Sequence, residues 1–319
     1  MKKTILVTIC LGISIVCNGC GQLLENSYVK NDGSFYFLNG KINYKDRFAH
    51  NLAILPKLSY LDRGFEDDVT SELLINNTKN EVLVSVSGHG KIYPASLTKL
   101  MTAYLTMKYA KMDDVVTLDR NLTYEEGAQL LHLKQGDKIS VRELYRGLLV
   151  YSANDCATML GTHIAGSEKK FVELMNKELK MLGATNTHFQ NAHGLHHPEH
   201  YTTAYDLYLM VKANLKYKEF KETIALPSAT IKYKNAQNYP ISVTVQSTNL
   251  FLNNTYKVPK DVLMFGGKTG TTSEAGSCLM VVTENKKKEE FISIVTGAVD
   301  KPNLYKVMTK LLNITNETK

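Results

Sequence analysis

Three short groups of residues in this 319-residue chain could together cut an amide through a serine. Ser96-Leu97-Thr98-Lys99 places a hydroxyl nucleophile three residues before an amine that could take its proton. Ser152-Ala153-Asn154 adds a second polar pair, and Lys268-Thr269-Gly270-Thr271 adds another cation flanked by hydroxyls, a combination that suits a carboxylate. Acyl transfer through serine needs a nucleophile, a base, a proton route and a grip on the anion.

None of the strings is convincing alone, because a second S-x-x-K occurs at Ser167–Lys170 and a second S-x-N at Ser247–Asn249. Context separates them. Ser96 follows Pro94-Ala95 and opens SLTKLMTAYLTMKYA, where Leu97, Leu100, Met101, Tyr104 and Leu105 recur at helical spacing. Ser96 is therefore expected in the first turn of a helix, with Lys99 beside it three positions on. Free N–H groups at that helix start would face any anion formed there. Ser167 instead lies in the polar stretch AGSEKK, which reads as a loop entering a helix.

The second string interrupts an apolar helical run, RELYRGLLVYSANDCATMLGTHIA. Its bland alternative is a loop in which Ser152 or Asp155 caps the next helix. The third, LMFGGKTGTTSEAGSCLMVV, reads as strand, Gly-rich turn, strand, with Gly266, Gly267 and Gly270 leaving space for a ligand or another backbone. Its bland alternative is a hairpin with an exposed lysine.

With the three strings in this order, the chain resembles the serine D-alanyl-D-alanine carboxypeptidases of the low-molecular-mass penicillin-binding type. In β-lactamases and penicillin-binding proteins S-x-x-K and K-T-G accompany S-D-N, whereas Ala153 takes the middle place of the second string here. The resemblance runs from about Thr70 to about Leu312 and includes PASLTKLMTAYL, THFQNAHGL, YTTAYDL, TNLFL and GGKTGTTSEAGSCL. It implies that Ser96 attacks the penultimate D-alanine carbonyl of peptidoglycan stem peptides and that β-lactams inhibit. Lys99 would act as base, Ser152 would relay a proton, and Asn154 would hold the peptide. Lys268, Thr269, Gly270 and Thr271 would bind the terminal carboxylate, and the N–H groups of Ser96 and Thr271 would hold the oxyanion. No metal or organic cofactor is implied. Two departures, Tyr205 in YTTAYDL and Thr271 after the third string, are expected near the substrate.

The resemblance leaves rivals on the same residues. A transpeptidase would use an amine acceptor in place of water. A β-lactamase would need a group to activate the deacylating water, and no E-x-x-L-N segment follows the second string. A binding-only lipoprotein would not need the nucleophile. His196-His197-Pro198-Glu199-His200 matches a zinc-peptidase string, but Pro198 and the preceding Gly194 argue for a surface loop over a metal-binding helix.

The surrounding chain is built to position such a site. Hydrophobic residues make up 44% and charged residues 22%, enough for one core of a few hundred residues. Net charge is +7 with dispersed lysines, and basic residues are not interleaved with aromatics, which argues against a nucleic-acid partner. Residues 1–20 read as a signal peptide: Lys2-Lys3, an apolar run from Ile5 to Val16, then Gly19-Cys20. Cys20 is the expected lipidation site and membrane anchor, with plain secretion or a retained apolar anchor as alternatives. Residues 21–65 read as a polar tether with one hairpin, 66–312 as the catalytic domain, and 313–319 as a polar tail. Two buried free thiols are expected at Cys156 and Cys278.

Strand-like runs lie at both ends of the catalytic segment, around the turn Asn76–Asn80 and over 228–299, with helices over 94–225 and a last helix from Asn303 to Leu312. The expected fold is therefore α/β of the α+β kind: one antiparallel sheet flanked by helices with an inserted helical lobe, as in β-lactamases and transpeptidases. The three strings should meet at the seam.

Overall fold

The computed structural model describes residues 29–31, 34–37, 40–43, 52–55 and 68–317, so Cys20 and the signal segment lie outside the described residues. These residues fall into two units divided between Leu52 and Ala53. In the first, β1 (Val29–Asn31), β2 (Ser34–Phe37) and β3 (Gly40–Asn43) form an antiparallel meander, one strand more than the expected hairpin.

The second unit is built on a five-stranded antiparallel sheet assembled from both ends of the segment. Its order is β10 (Val262–Thr272), β11 (Gly276–Asn285), β12 (Glu290–Ala298), β4 (Ser71–Asn76), β5 (Glu81–Val86). Strands β11 and β12 are buried on both faces, which is why SCLMVV and FISIV read as continuous apolar runs with no alternation. The last helix, α7 (Lys301–Glu317), covers one face. Leu304, Val307, Met308, Leu311 and Leu312 pack on Leu279, Val281, Phe291 and Val295, each such side chain contributing about 1.5–3 kcal/mol over exposure. This helix spans Lys301–Glu317 and so runs through the residues read as a polar tail. Thr315 is buried there, and its hydroxyl donates back to the Leu312 carbonyl, so polarity alone did not end the helix.

The inserted lobe contains α1 (Lys99–Tyr109), α2 (Val141–Arg146), α3 (Asn154–Ala165), α4 (Glu168–Met181), α5 (Ala204–Asn214) and α6 (Lys218–Ile224). It also carries a sheet of its own, β6 (Val115–Thr117), β7 (Lys138–Ser140), β8 (Ser228–Lys234) and β9 (Pro240–Gln246). The runs ATIKYKN and ISVTVQ therefore do not join the main sheet, contrary to the expectation of one sheet. Strand β8 instead pairs with β7, from within the helical lobe.

The boundary expected at residue 65 also shifts. Ala53 and Leu55 are buried in the second unit, where the Ala53 N–H donates to the Tyr208 hydroxyl at 2.9 Å and the Tyr205 hydroxyl donates to the Ala53 carbonyl at 2.9 Å. Tyr205 is thus engaged with this segment and does not line the substrate cavity expected for it.

Candidate active site

Each of the three strings reaches the seam by a different local device. Ser96 lies in a 3-10 turn, Ala95–Thr98, which precedes α1; the expected α-helical first turn is this tighter one. Ala95 holds φ +46°, a left-handed conformation unusual for a residue with a Cβ, and it turns the chain immediately before Ser96. The string at Ser152 follows a wide π-type turn, Gly147–Tyr151, which ends with Ser152 at φ 68°. That left-handed residue breaks the helical run so that Ser152 and Asn154 both face the seam. The capping role considered for Ser152 and Asp155 does not hold, since Ala153 is the N-cap of α3. Asp155 is buried, and its carboxylate accepts from the N–H groups of Leu131 and Leu133.

The third string is no turn at all. Strand β10 runs unbroken from Val262 to Thr272, with a bulge between Met264 and Gly266. Gly270 has a specific reason: a Cβ there would lie 2.9 Å from the Ser96 nitrogen and 3.0 Å from the Pro94 carbonyl oxygen. The strand can approach the Ser96 turn only without a side chain at that point.

One cavity of about 350 Å³ is lined by Ser96, Ser152, Asn154, Thr269, Gly270 and Thr271. Both lysine amines lie within hydrogen-bond reach of its hydroxyls, and both lysines are fully buried. Lys99 Nζ lies 2.8 Å from Ser96 Oγ, 2.7 Å from Asn154 Oδ1 and 2.6 Å from the His193 carbonyl oxygen. Burial first, and then the Lys268 charge, hold the Lys99 amine well below the ordinary lysine range. In a neutral amine the two N–H bonds serve the two carbonyl oxygens, which leaves the lone pair facing the Ser96 hydroxyl. That arrangement can accept the Ser96 proton.

Lys268 Nζ donates to Ser152 Oγ at 2.7 Å and to the Thr269 carbonyl at 2.9 Å, and burial lowers its pKa to about 7. It is not the exposed hairpin lysine of the bland alternative. Asn154 also differs from expectation in one respect: its Oδ1 is committed to Lys99, so this atom positions the amine.

Three cavity features escaped the reading of the sequence. Thr248 lies in the dismissed Ser247–Asn249 string, yet it lines the cavity, and the Thr269 hydroxyl donates to its hydroxyl at 2.6 Å. The TNLFL stretch, which begins at Thr248 and carries part of the resemblance, was the available signal. The loop Gly127-Ala128-Gln129 forms another wall, and the Gln129 carbonyl accepts from the Asn154 N–H. The His193 carbonyl is a backbone ligand to Lys99 that no side-chain pattern could reveal.

The remaining decoys resolve simply. Ser167 caps α4, its hydroxyl accepting from the Lys170 N–H at 3.3 Å. His196–His200 lies in a loop, as Pro198 suggested, but His200 is buried and does not belong to the surface. No group of three His, Cys, Asp or Glu side chains is placed to hold a metal among the described residues. Cys156 and Cys278 are free and buried.

The chain is similar in sequence and in fold to known proteins. The sequence profile of the D-alanyl-D-alanine carboxypeptidase family matches residues 65–300. D-alanyl-D-alanine carboxypeptidase DacD of Escherichia coli is 34% identical over 261 residues, covering 78% of this chain and 62% of that protein. DacF of Bacillus subtilis is 31% identical over 250 residues, with 77% and 61% covered. The chain thus spans about three fifths of the length of these curated relatives. Among solved structures, cefotaxime-bound penicillin-binding protein D2 of Listeria monocytogenes superposes with TM-score 0.67 at 27% identity, covering 80% of this chain and 99% of that one. A mutant of the Streptomyces K15 DD-transpeptidase gives TM-score 0.71 at 23% identity, covering 79% and 99%, a likeness of fold. By its profile match, its relatives and its architecture, the chain belongs to the D-alanyl-D-alanine carboxypeptidase family.

Proposed function

We propose that this protein removes the terminal D-alanine from peptidoglycan stem peptides through a Ser96 acyl-enzyme, and that β-lactams block it by acylating the same serine. The observation that carries this reading is the Lys99 amine, buried and 2.8 Å from Ser96 Oγ, with two carbonyl oxygens taking its other hydrogen-bonding directions. Lys99 takes the Ser96 proton as Oγ bonds to the carbonyl carbon. The oxyanion is held by the N–H groups of Ser96 and Thr271, a type of donor worth roughly 3–4 kcal/mol in the transition state. The C–N bond then breaks as Ser152 passes its proton to the leaving amine and takes one from Lys268, to which it is bonded. Lys268 with Thr269, Gly270 and Thr271 receives the substrate's carboxylate, while Asn154 keeps Lys99 in place. Water then hydrolyses the ester: Lys99 returns its proton to the departing Ser96 oxygen, and the proton released by water restores Lys268.

Intact-mass measurement after mixing with benzylpenicillin, and separately with a D-Ala-D-Ala peptide, tests the reading. The expected results are a covalent penicillin adduct mapped to Ser96 and a peptide shortened by one alanine. An adduct on another residue, or no adduct with an intact peptide, would overturn it. Rapid turnover of a chromogenic cephalosporin would favour a β-lactamase, and a ligated product with an added amine acceptor would favour a transpeptidase.

We infer that the protein acts outside the cytoplasm at the membrane face of the wall, attached through lipid on Cys20. Lys2-Lys3, the apolar run from Ile5 to Val16 and Gly19-Cys20 support this. Cys20→Ala should move the protein from the membrane fraction to the soluble fraction with acylation intact. Retention in the membrane fraction, or a mature N-terminus other than Cys20, would exclude the lipid anchor.

A further inference from the structure

The geometry points to His200 as a positioning residue for Ser96, acting through the Thr98 hydroxyl and the Ala95 carbonyl; this rests on the reading of Ser96 as the nucleophile. The chain of donors has a fixed direction. The Gln190 N–H donates to His200 Nδ1 at 3.0 Å, so that nitrogen carries no proton and the ring's single N–H is at Nε2. Nε2 lies 2.7 Å from Thr98 Oγ1, and the only hydroxyl proton of Thr98 is directed to the Ala95 carbonyl at 2.8 Å. Thr98 therefore accepts from His200 and donates to Ala95.

The end of this chain is the residue whose left-handed φ of +46° turns the backbone into Ser96. Such a conformation persists only where its surroundings over-determine it. The loop carrying His200 supplies that constraint at three points. His200 is 2% exposed and stacks on Phe189 with ring centroids 4.8 Å apart, so its Nε2 cannot swing away from Thr98. Gly194, at φ +92°, packs its backbone against the same carbonyl: a Cβ there would lie 1.9 Å from the Ala95 oxygen. The His193 carbonyl holds the Lys99 amine. The loop thus clamps the residue before the nucleophile, the residue two after it, and the base.

A histidine that only filled the core would lower stability when replaced and leave the acylation step unchanged. A positioning histidine changes the acylation rate constant while substrate still binds. Stopped-flow acylation by benzylpenicillin separates the two, since it yields the half-saturation concentration and the first-order acylation constant independently. His200→Phe keeps the ring stack and removes the donor. The acylation constant should fall by about tenfold to a hundredfold, the scale of a small misplacement of reacting atoms, with half-saturation within about twofold of the wild type. Thr98→Val should give a similar loss, Thr98→Ser should restore most of it, and the His200→Phe/Thr98→Val double variant should lose no more than the worse single variant.

Acylation within about twofold of wild type in folded His200→Phe, multiplicative losses in the double variant, or no rescue by Thr98→Ser would each overturn the proposal. If His200→Phe does not fold, the Thr98→Val and Thr98→Ser pair decides alone. Mapping the wild-type adduct first separates the two claims. A missing Ser96 adduct removes the assigned chemistry, whereas a Ser96 adduct that forms at full rate without His200 removes only the positioning role.

Discussion

The two buried lysines of the seam are held in opposite ways. Lys99 comes from the helical lobe and is fixed by atoms of three separate segments: Ser96, Asn154 and the His193 carbonyl. Lys268 comes from the sheet, where the β10–β11 register runs on both sides of its own pairing with Met280, and one foreign side chain, Ser152, meets its amine. The sheet side is therefore pre-set by backbone pairing, whereas the lobe side depends on loops arriving correctly. The Lys99 amine is lowered by burial and by the Lys268 charge, whereas burial lowers that of Lys268. Under the proposed reading, one lysine serves as the base, and the other, with its pKa lowered to about 7, meets the anion.

The sharpest break of that contrast is at the lobe side. Ser96→Ala should eliminate the penicillin adduct in intact-mass spectra. Lys99→Arg keeps the charge but stays protonated, so acylation should fall by about 10²–10⁴-fold in stopped-flow measurements. Near-normal acylation by that variant would leave Lys99 a purely electrostatic role.

Asn154→Asp tests how the cradle tunes the base. A carboxylate beside Lys99 favours the protonated amine, so the pH at which acylation begins should rise by about one to three units. An unshifted pH profile would mean that the Asn154 contact does not set the state of Lys99.

The sheet side should fail structurally before it fails chemically. Gly266 sits at the β10 bulge with φ +138°, and a Cβ there would lie 2.1 Å from the Ile224 carbonyl oxygen. Gly266→Ala should destabilise by about 1–3 kcal/mol, read as a melting temperature lowered by roughly 2–4 °C per kcal/mol. An unchanged melting curve would show that β10 can shift away from α6 at no cost.

Lys268 gives a smaller, pH-dependent signature. With a pKa of about 7, its charge is lost as pH rises through neutrality, and the grip on a carboxylate weakens with it. The second-order acylation constant for penicillin should therefore decline above about pH 7, and a penicillin methyl ester, which lacks the carboxylate, should not show that decline. The same falling limb with both compounds would assign it to another group.

The least conspicuous effect is on stability in acid. His193 and His200 both have their pKa lowered to about 3, chiefly by burial, and then by Lys99 at His193 and by His188 at His200. Their depressed folded values mean that the unfolded chain binds more protons. The stability they contribute is complete above the ordinary histidine pKa near 6.5 and is lost as pH falls from there through about 3. Urea midpoints should drop over this window, and His200→Gln should flatten part of the slope. A slope unaffected by either histidine would locate the acid sensitivity elsewhere.

Ser96, Lys99, Ser152, Asn154 and the Lys268 string were legible because each pairs a reactive side chain with a local break in periodicity, and such breaks are visible one segment at a time. Strand β11 was legible as a long apolar run, and α7 as an apolar stripe. Thr248 was missed because its string looked like a decoy, and only the fold brings its loop to the same cavity as the Ser152 string. Tyr205 was misplaced because a resemblance fixes position along the chain and not the direction of a side chain, and its hydroxyl turns to the Ala53 carbonyl.

The sequence by itself determined which groups could react, that they belong to one family of serine acyl-transfer proteins, and that strands from both ends of the segment enclose helices. Those properties live in side-chain chemistry and in periodicities a few residues long. Only the tertiary structure decided the lowered proton affinity of the two lysines, the commitment of Asn154 to Lys99, and the contacts of the His193–His200 loop with the turn at Ser96. Burial and opposing backbone carbonyls set those properties, and both are supplied by segments about a hundred residues away in the chain.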